Sequence, residues 1–402
     1  MGGNADGVAG IASPDSAGEA PPAWDRYAHV TRSMARAVMA LLVVLLVLAA
    51  WAPGLSAGPK EVPNIHPPVT DVSANTARGA QNAAPPVVIP GDDFKDNDLR
   101  FYRLIIERVK RGDDYYVAAT ELQRANNYPV APGLTVRLPT LAYVAAYLGP
   151  VPFALLGLAL VIAVLFAMLR RFHREPGGAK FSLIALALLF VGLSTAIHPR
   201  FNVLHEVWSA QLIALSFALH QPERGKWGGS LLAGAAALAV RELALPFVLL
   251  MAAWALWHRR WREGGAWMAL IVVFAVLLSQ HVQLAEAQIR PGDAISPPWL
   301  VFGGLNGLLY KVIHASNLNI LPTVIAGPVI VLALFGWTGW RTAMGSFASL
   351  LLIGYSVAFA IAGRDNNFYW GVMIVPLLLM GLAMMPFAVK SLWAQARRAV
   401  HD

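Results

Sequence analysis

The chain alternates between long apolar runs and short polar breaks, and one polar stretch interrupts this pattern early. Apolar runs lie at 37–55, 150–169, 181–197, 203–219, 228–240, 243–257, 265–280, 320–338, 344–362 and 370–388. Most approach the roughly 20 residues that a helix needs to cross a bilayer. The pattern predicts an all-α polytopic membrane protein with about ten transmembrane helices. Residues 1–34, rich in Gly, Ala, Ser and Pro, read as a disordered tail. Residues 35–58 form the first membrane helix, 59–140 a large loop, 141–389 the remaining helices, and 390–402 a second tail. Leu55-Ser56-Ala57 resembles a cleavage site, but the long preceding segment favours a retained anchor.

Within the polar stretch, residues 59–90 are Pro- and Asn-rich and read as extended. Apolar positions 101, 104, 105 and 109 then share one helical face. Asp98 suits the N-cap of that helix and Gly112 its stop. A second short helix is expected over Tyr115–Ala125. The first extracytoplasmic loop is thus expected to be helical.

The segment 228–257 reads either as one helix kinked at Pro246 or as a hairpin turning at Arg241-Glu242. Basic residues at both ends, Arg224 and Lys226 before it and Arg259, Arg260 and Arg262 after it, favour the hairpin. With the N-terminus inside, inner segments carry sixteen Lys and Arg and the short outer loops five. This asymmetry places both termini in the cytoplasm.

Composition sharpens the class. Charged residues make up 13% of the chain, about half the share of a soluble domain, and the mean hydropathy is +0.55. The formal charge of +8 follows from basic residues at helix ends rather than from a nucleic-acid surface. There are no cysteines, which excludes disulfides and thiol chemistry. No Walker loop or dinucleotide fingerprint is present. The Ala, Gly and Arg bias points to a bacterial inner membrane.

Polar residues gather in the outer loops: Asp92, Asp93, Asp96 and Asp98; His198, Arg200, His205 and Glu206; Arg241 and Glu242; Glu286, Arg290, Lys311 and His314; Arg364 to Asn367. Arginines at a membrane surface suit a phosphate headgroup. A carboxylate beside them suits a general base. The histidines lack ligand spacing and read as local hydrogen-bonding groups. No metal site is assigned, although the acids leave a divalent cation open. Glu206 has a second reading, as a buried pair with Arg200 or Arg241. Tyr115, Tyr116, Tyr128 and Tyr143 read as an interfacial belt, and Trp254, Trp257, Trp261 and Trp267 as membrane anchors.

Several segments together resemble the GT-C superfamily of membrane glycosyltransferases, which includes protein O-mannosyltransferases and lipid A aminoarabinose transferases. Asp98-Leu-Arg-Phe-Tyr102, Gly112-Asp-Asp-Tyr-Tyr116, Asn127-Tyr-Pro129 and Arg137-Leu-Pro139 look like that family's acidic first extracytoplasmic loop, whose amphipathic helices lie at the membrane interface. Gly234 to Arg241 with Leu243 to Pro246 is similar to its basic hairpin. Arg364 to Tyr369, then Pro376, looks like its closing helix. The resemblance covers residues 37–388. The sequence departs from the family in lacking an Asp-Glu pair after the first helix, and in carrying Glu206 where Asp is common.

The resemblance implies an inverting transferase taking sugar from a polyprenyl-phosphate donor to an acceptor hydroxyl on a glycan, lipid or protein, with membrane lipid around it and no nucleic-acid partner. It implies Asp98 or Asp96 as base and Arg241 and Arg364 on the donor phosphate. Glu206, His205, Tyr102 and Glu242 would shape the sugar or acceptor site. A lipid or glycan transporter, with ionisable groups near the bilayer midplane, and a non-enzymatic scaffold, with acids and arginines pointing apart, are the alternatives.

Overall fold

The computed structural model describes residues 21–55 and 97–398. The first helix, α1, spans Arg32–Leu55. In the polar loop, α2 is Asn97–Lys110, α3 Tyr115–Ala125 and α4 Thr140–Leu148. Then follow α5 (Pro150–Phe172), α6 (Gly178–Ile197), α7 (His205–Leu219), α8 (Gly228–Val240), α9 (Leu245–Trp257) and α10 (Trp261–Glu286). An irregular strap leads to α11 (Gly304–His314), α12 (Thr323–Gly339) and α13 (Ala343–Ile361). Tight 3-10 turns over Asp365–Met373 precede α14 (Val375–Met380) and α15 (Met385–Arg397).

Five of these helices, α1, α5, α6, α10 and α13, are long and apolar enough to cross a membrane. The segments Asn366–Met373 and Val375–Ala383, bent by 52°, pass the same test together. All ten apolar runs are helical, but several are short. The 13 residues of α8 rise only about 20 Å, against a hydrocarbon core of about 30 Å. The described chain is thus all-helical and compatible with a polytopic membrane protein. Its outer surface agrees: Val43, Val44, Val47, Leu48 and Trp51 of α1 are each more than half exposed, as lipid-facing side chains are.

The described elements end on two faces. On one, Arg26 N–H bonds to Gly339 O at 3.0 Å and Arg341 N–H to Trp24 O at 2.7 Å. There too, Trp340 Nε1 donates to Pro176 O and Gln395 Nε2 to Val30 O. This is the basic face, and it collects the segments that the Lys and Arg count places together. Residues 21–34, expected to be disordered, are folded into it: Tyr27 is buried, stacks on Phe335 and bonds to Thr338 Oγ1 at 2.6 Å. Only residues 1–20 of that tail lie outside the described residues.

The 228–257 segment reverses at Arg241, whose extended backbone (φ −152°, ψ 121°) separates α8 from α9. His220, after α7, meets Glu263, in the first turn of α10, at 2.6 Å. Both flanks of the segment therefore share the basic face, as a hairpin requires and a single kinked helix forbids.

Small residues let the helices touch. A Cβ on Gly327 of α12 would lie 2.1 Å from Ala49 O of α1, and one on Gly336 would lie 1.8 Å from Gly381 O. Membrane helices without a hydrophobic drive between them use this close approach. Gly336→Ala must push α12 off its neighbour, with an expected loss of about 1–3 kcal/mol, measured as a lower unfolding temperature in detergent. A Cβ on Gly234 would lie 2.8 Å from the Trp267 ring. Trp267, expected as a membrane anchor, is fully buried, whereas Trp257 and Trp261 are exposed. The sequence pattern placed all of them beside basic residues; only packing separates core from anchor.

A candidate polar site beneath the loop helices

On the face opposite the basic one, α2 and α3 form a cap. The apolar stripe of α2 (Phe101, Leu104, Ile105, Val109) packs on Tyr115, Ala119 and Leu122 of α3. Gly112 adopts φ +96°, the left-handed conformation that ends a helix without a Cβ penalty. Asp114 then caps α3 by accepting from Tyr116 N and Val117 N. Arg108 ties the two helices, pairing with Asp113 at 2.6 Å and Glu121 at 2.9 Å. Leu99 reaches the other way, into a cluster with Val203, Leu204, Val207 and Val372. The cap is thereby seated on the start of α7 and on the turns after α13.

Asp98 does not cap α2. The helix begins at Asn97, and Asp98 lies in its first turn. Its Oδ1 accepts a 2.5 Å hydrogen bond from the Tyr128 hydroxyl. Burial, reinforced by the Asp98 charge, pushes the Tyr128 hydroxyl above its ordinary value. The proton therefore stays on Tyr128, which acts as a fixed donor to the carboxylate. Oδ2 of Asp98 makes no hydrogen bond with the described residues. Asp92, Asp93 and Asp96 lie outside the described residues.

One turn on, Tyr102 is half-buried beside Arg137. Arg137 Nε donates to the Tyr102 hydroxyl at 3.2 Å, and the Tyr102 ring meets the His205 ring edge-on at 5.3 Å. Burial raises the Tyr102 hydroxyl, opposed by the Arg137 charge. Burial pulls Arg137 down, but the Tyr102, Glu206 and Glu242 charges outweigh it and hold Arg137 above its usual value as a firm cation. His205 Nε2 donates to Leu138 O at 3.3 Å, which fixes the ring and leaves Nδ1 buried without a partner among the described residues.

Glu206, the second residue of α7, and Arg241, at the break between α8 and α9, are both almost fully buried. Arg241 Nε lies 2.8 Å from Glu206 Oε1, an ion pair whose N–H is not aligned as a hydrogen bond. Arg241 Nη1 bonds to Glu242, whose side chain is 26% exposed. Arg241 Nη2 is buried without a partner. Of the two pairings open to Glu206 in the sequence, Arg241 is the one formed. Asp98, Tyr102, His205, Glu206, Arg241 and Glu242 are thus brought into one connected cluster, and Arg137 and Tyr128 complete it.

Arg364 stands apart. Its guanidinium bonds to Pro297 O at 3.2 Å and Ser296 Oγ at 3.4 Å, pinning the strap 287–303 that links α10 to α11. The strap is also held to the cap: Ala294 O accepts from Val130 N, and Ser296 N donates to Ala131 O. Arg124 of α3 forks onto Asp293 at 2.6 and 2.9 Å. That fork, first, and the Arg290 amide hold the Asp293 carboxyl down to about 2. Lys311 is buried against Gly307 O and Phe359 O, each at 3.3 Å. His198 and His314 make local bonds, to Arg200 N and Tyr310 O. Among the described residues no three His, Asp or Glu side chains are grouped to hold a metal ion.

Two residues of the cluster, Arg137 and Tyr128, were given no place in the site by the sequence. Arg137 sits in a Pro-flanked link with no periodicity, and only its loop membership hinted at function. Tyr115, Tyr116 and Tyr128, expected in an interfacial belt, point inward instead: Tyr115 bonds to Arg137 O at 2.7 Å, and Tyr116 to His281 Nδ1 at 3.1 Å. Tyr143 alone of the four is well exposed.

Compared with known proteins, the chain matches no family model, no curated protein and no solved structure.

Proposed function

We propose that this chain is an integral membrane glycosyltransferase of the GT-C kind, which moves sugar from a polyprenyl-phosphate carrier to an acceptor hydroxyl on the cap side of the membrane. One observation carries the reading. Acid and arginine side chains from four separated segments converge on one cluster under an amphipathic cap, with Glu206 and Arg241 buried and Asp98, Arg137 and Glu242 half-buried around them, on the side opposite the basic face. A scaffold has no use for that convergence. A transporter would gather its charges at the bilayer midplane; here the 13 residues of α8, which starts on the basic face, carry Arg241 about 20 Å into a core of about 30 Å, past the midplane and toward the cap.

In this mechanism the acceptor hydroxyl attacks the anomeric carbon while its proton passes to Asp98 Oδ2. The bond from that carbon to the phosphate oxygen breaks, and the electron pair leaves on polyprenyl phosphate. Tyr128 fixes Asp98 through Oδ1, so the free oxygen is aimed. Arg241 stabilises the charge developing on the leaving phosphate. Tyr102, His205 and Glu242 border the sugar or acceptor. No nucleotide or redox cofactor enters. Ten membrane crossings, cytoplasmic termini and a bacterial inner membrane complete the reading.

The test is purified protein in lipid vesicles with labelled polyprenyl-phosphate mannose, glucose, galactose and aminoarabinose. Sugar release or transfer from one donor supports the reading; intact donors moved between leaflets would replace it with transport. Sidedness has its own test, made simple by the absence of cysteine. In intact cells stripped of their outer layer, Arg111→Cys and Arg290→Cys are expected to react with an impermeant maleimide. Arg224→Cys and Arg259→Cys should react only after the membrane is opened.

A further inference from the structure

We propose that Arg137, rather than Arg364, is the second cation that grips the donor phosphate alongside Arg241; this rests on the transferase reading above. Three observations carry it. First, Arg137 and Arg241 belong to one cluster. His205 holds the carbonyl of Leu138, next to Arg137, and is followed in the chain by Glu206, the partner of Arg241. Second, Arg241 is 1% exposed and keeps Nη2 unpaired, a buried donor that costs free energy unless something accepts from it. Third, Arg364 lies outside the cluster, with Nη1 and Nη2 bonded to Pro297 O and Ser296 Oγ of the strap and only Nε buried without a partner.

The charge balance sets what this site takes. Two guanidiniums, Arg137 and Arg241, stand among three carboxylates, Glu206, Glu242 and Asp98, so the cluster holds no surplus positive charge before ligand arrives. An anion is held by directed N–H donors, not by surplus charge. That favours a phosphate group, which accepts from two forks at once. Glu206 is locked against Arg241 deep in the fold, whereas Glu242 is the partly exposed member. Glu242 is the like charge an incoming phosphate must tolerate, and its removal should help binding.

The probes are farnesyl phosphate and farnesol, added to the full-length protein in lipid nanodiscs and read by native mass spectrometry. Wild-type protein is expected to prefer the phosphate. Arg137→Gln should weaken farnesyl phosphate at least tenfold, Arg137→Lys should fall between, and Arg364→Gln should stay within twofold of wild type. Glu242→Gln should tighten it severalfold, a gain that loss of a merely structural contact does not produce. Farnesol binding should not move in any variant. Should Arg137→Gln not fold, Arg137→Lys and Glu242→Gln carry the test. Phosphate preference that survives in the Arg137 variants, or that is lost in Arg364→Gln, overturns the assignment and leaves the transferase reading standing. No preference for the phosphate in wild-type protein overturns both.

Discussion

Asp98→Asn is expected to lower sugar transfer by about 10²- to 10⁴-fold without unfolding the protein. The size follows from the chemistry. An acceptor hydroxyl is a poor nucleophile until its proton has somewhere to go, and an amide cannot receive it. The selectivity follows from the structure. Asn is isosteric, and its carbonyl oxygen still accepts from Tyr128, whose hydroxyl sits 2.5 Å from Asp98 Oδ1. The neighbours Leu99 and Phe101 keep their packing on α7 and α3, so the cap stays seated. Donor KM should hardly change, because the proposed phosphate site at Arg241 and Arg137 does not include Asp98. Tyr128→Phe should cost less, about tenfold, since it removes the bond that aims the base but not the base. Steady-state transfer rates, with unfolding temperatures as the control, separate the two. Turnover near wild type in Asp98→Asn would remove Asp98 as base and make Asp96 the residue to test.

How the sequence relates to this site is clearest residue by residue. The bounds of α2 and α3 were legible because one apolar stripe and two local stop signals, Gly112 and Asp114, act within a few residues of each other. The sharing of faces was legible because the positive-inside bias is summed over many segments. The 228–257 reversal followed from it, and the His220–Glu263 contact closes that argument. Arg137 was not legible. Its neighbours Val136 and Leu138 suggest only a buried link; its hydrogen-bond partner Tyr102 lies 35 residues back in α2, and the charges that act on it, Glu206 and Glu242, lie about 70 and 100 residues ahead. The inward turn of Tyr115, Tyr116 and Tyr128 was hidden for a related reason: an amphipathic ring suits a lipid interface and a buried hydrogen bond equally well. Apolar length also overstated single spans, since α8 and α9 are each 13 residues, short of the roughly 20 that a crossing needs.

Arg241→Met is expected to destabilise the protein by about 3–5 kcal/mol, because it strands a carboxylate where water cannot reach it. Glu206 has 5% of its side chain exposed and Glu242 26%. Once Arg241 is gone, Glu242 can turn to water while Glu206 cannot. The two carboxylates therefore respond differently to rescue. Arg241→Met with Glu206→Gln should recover most of the loss, since the stranded charge is removed with its partner. Arg241→Met with Glu242→Gln should recover little. Reversible unfolding in mixed detergent gives all four free energies needed for each cycle, and the coupling is read as the departure from additivity. Equal recovery from both Glu changes would mean that the ion pair at 2.8 Å is not what the buried break at Arg241 depends on. Unequal recovery would tie the α7 start to the hairpin through one contact. That contact holds Arg241 in place, so the loss of transfer in Arg241→Met has to be compared with Arg241→Lys, which keeps the charge. A folded Arg241→Lys protein with transfer reduced about tenfold or more would separate the two-pronged grip on phosphate from charge alone.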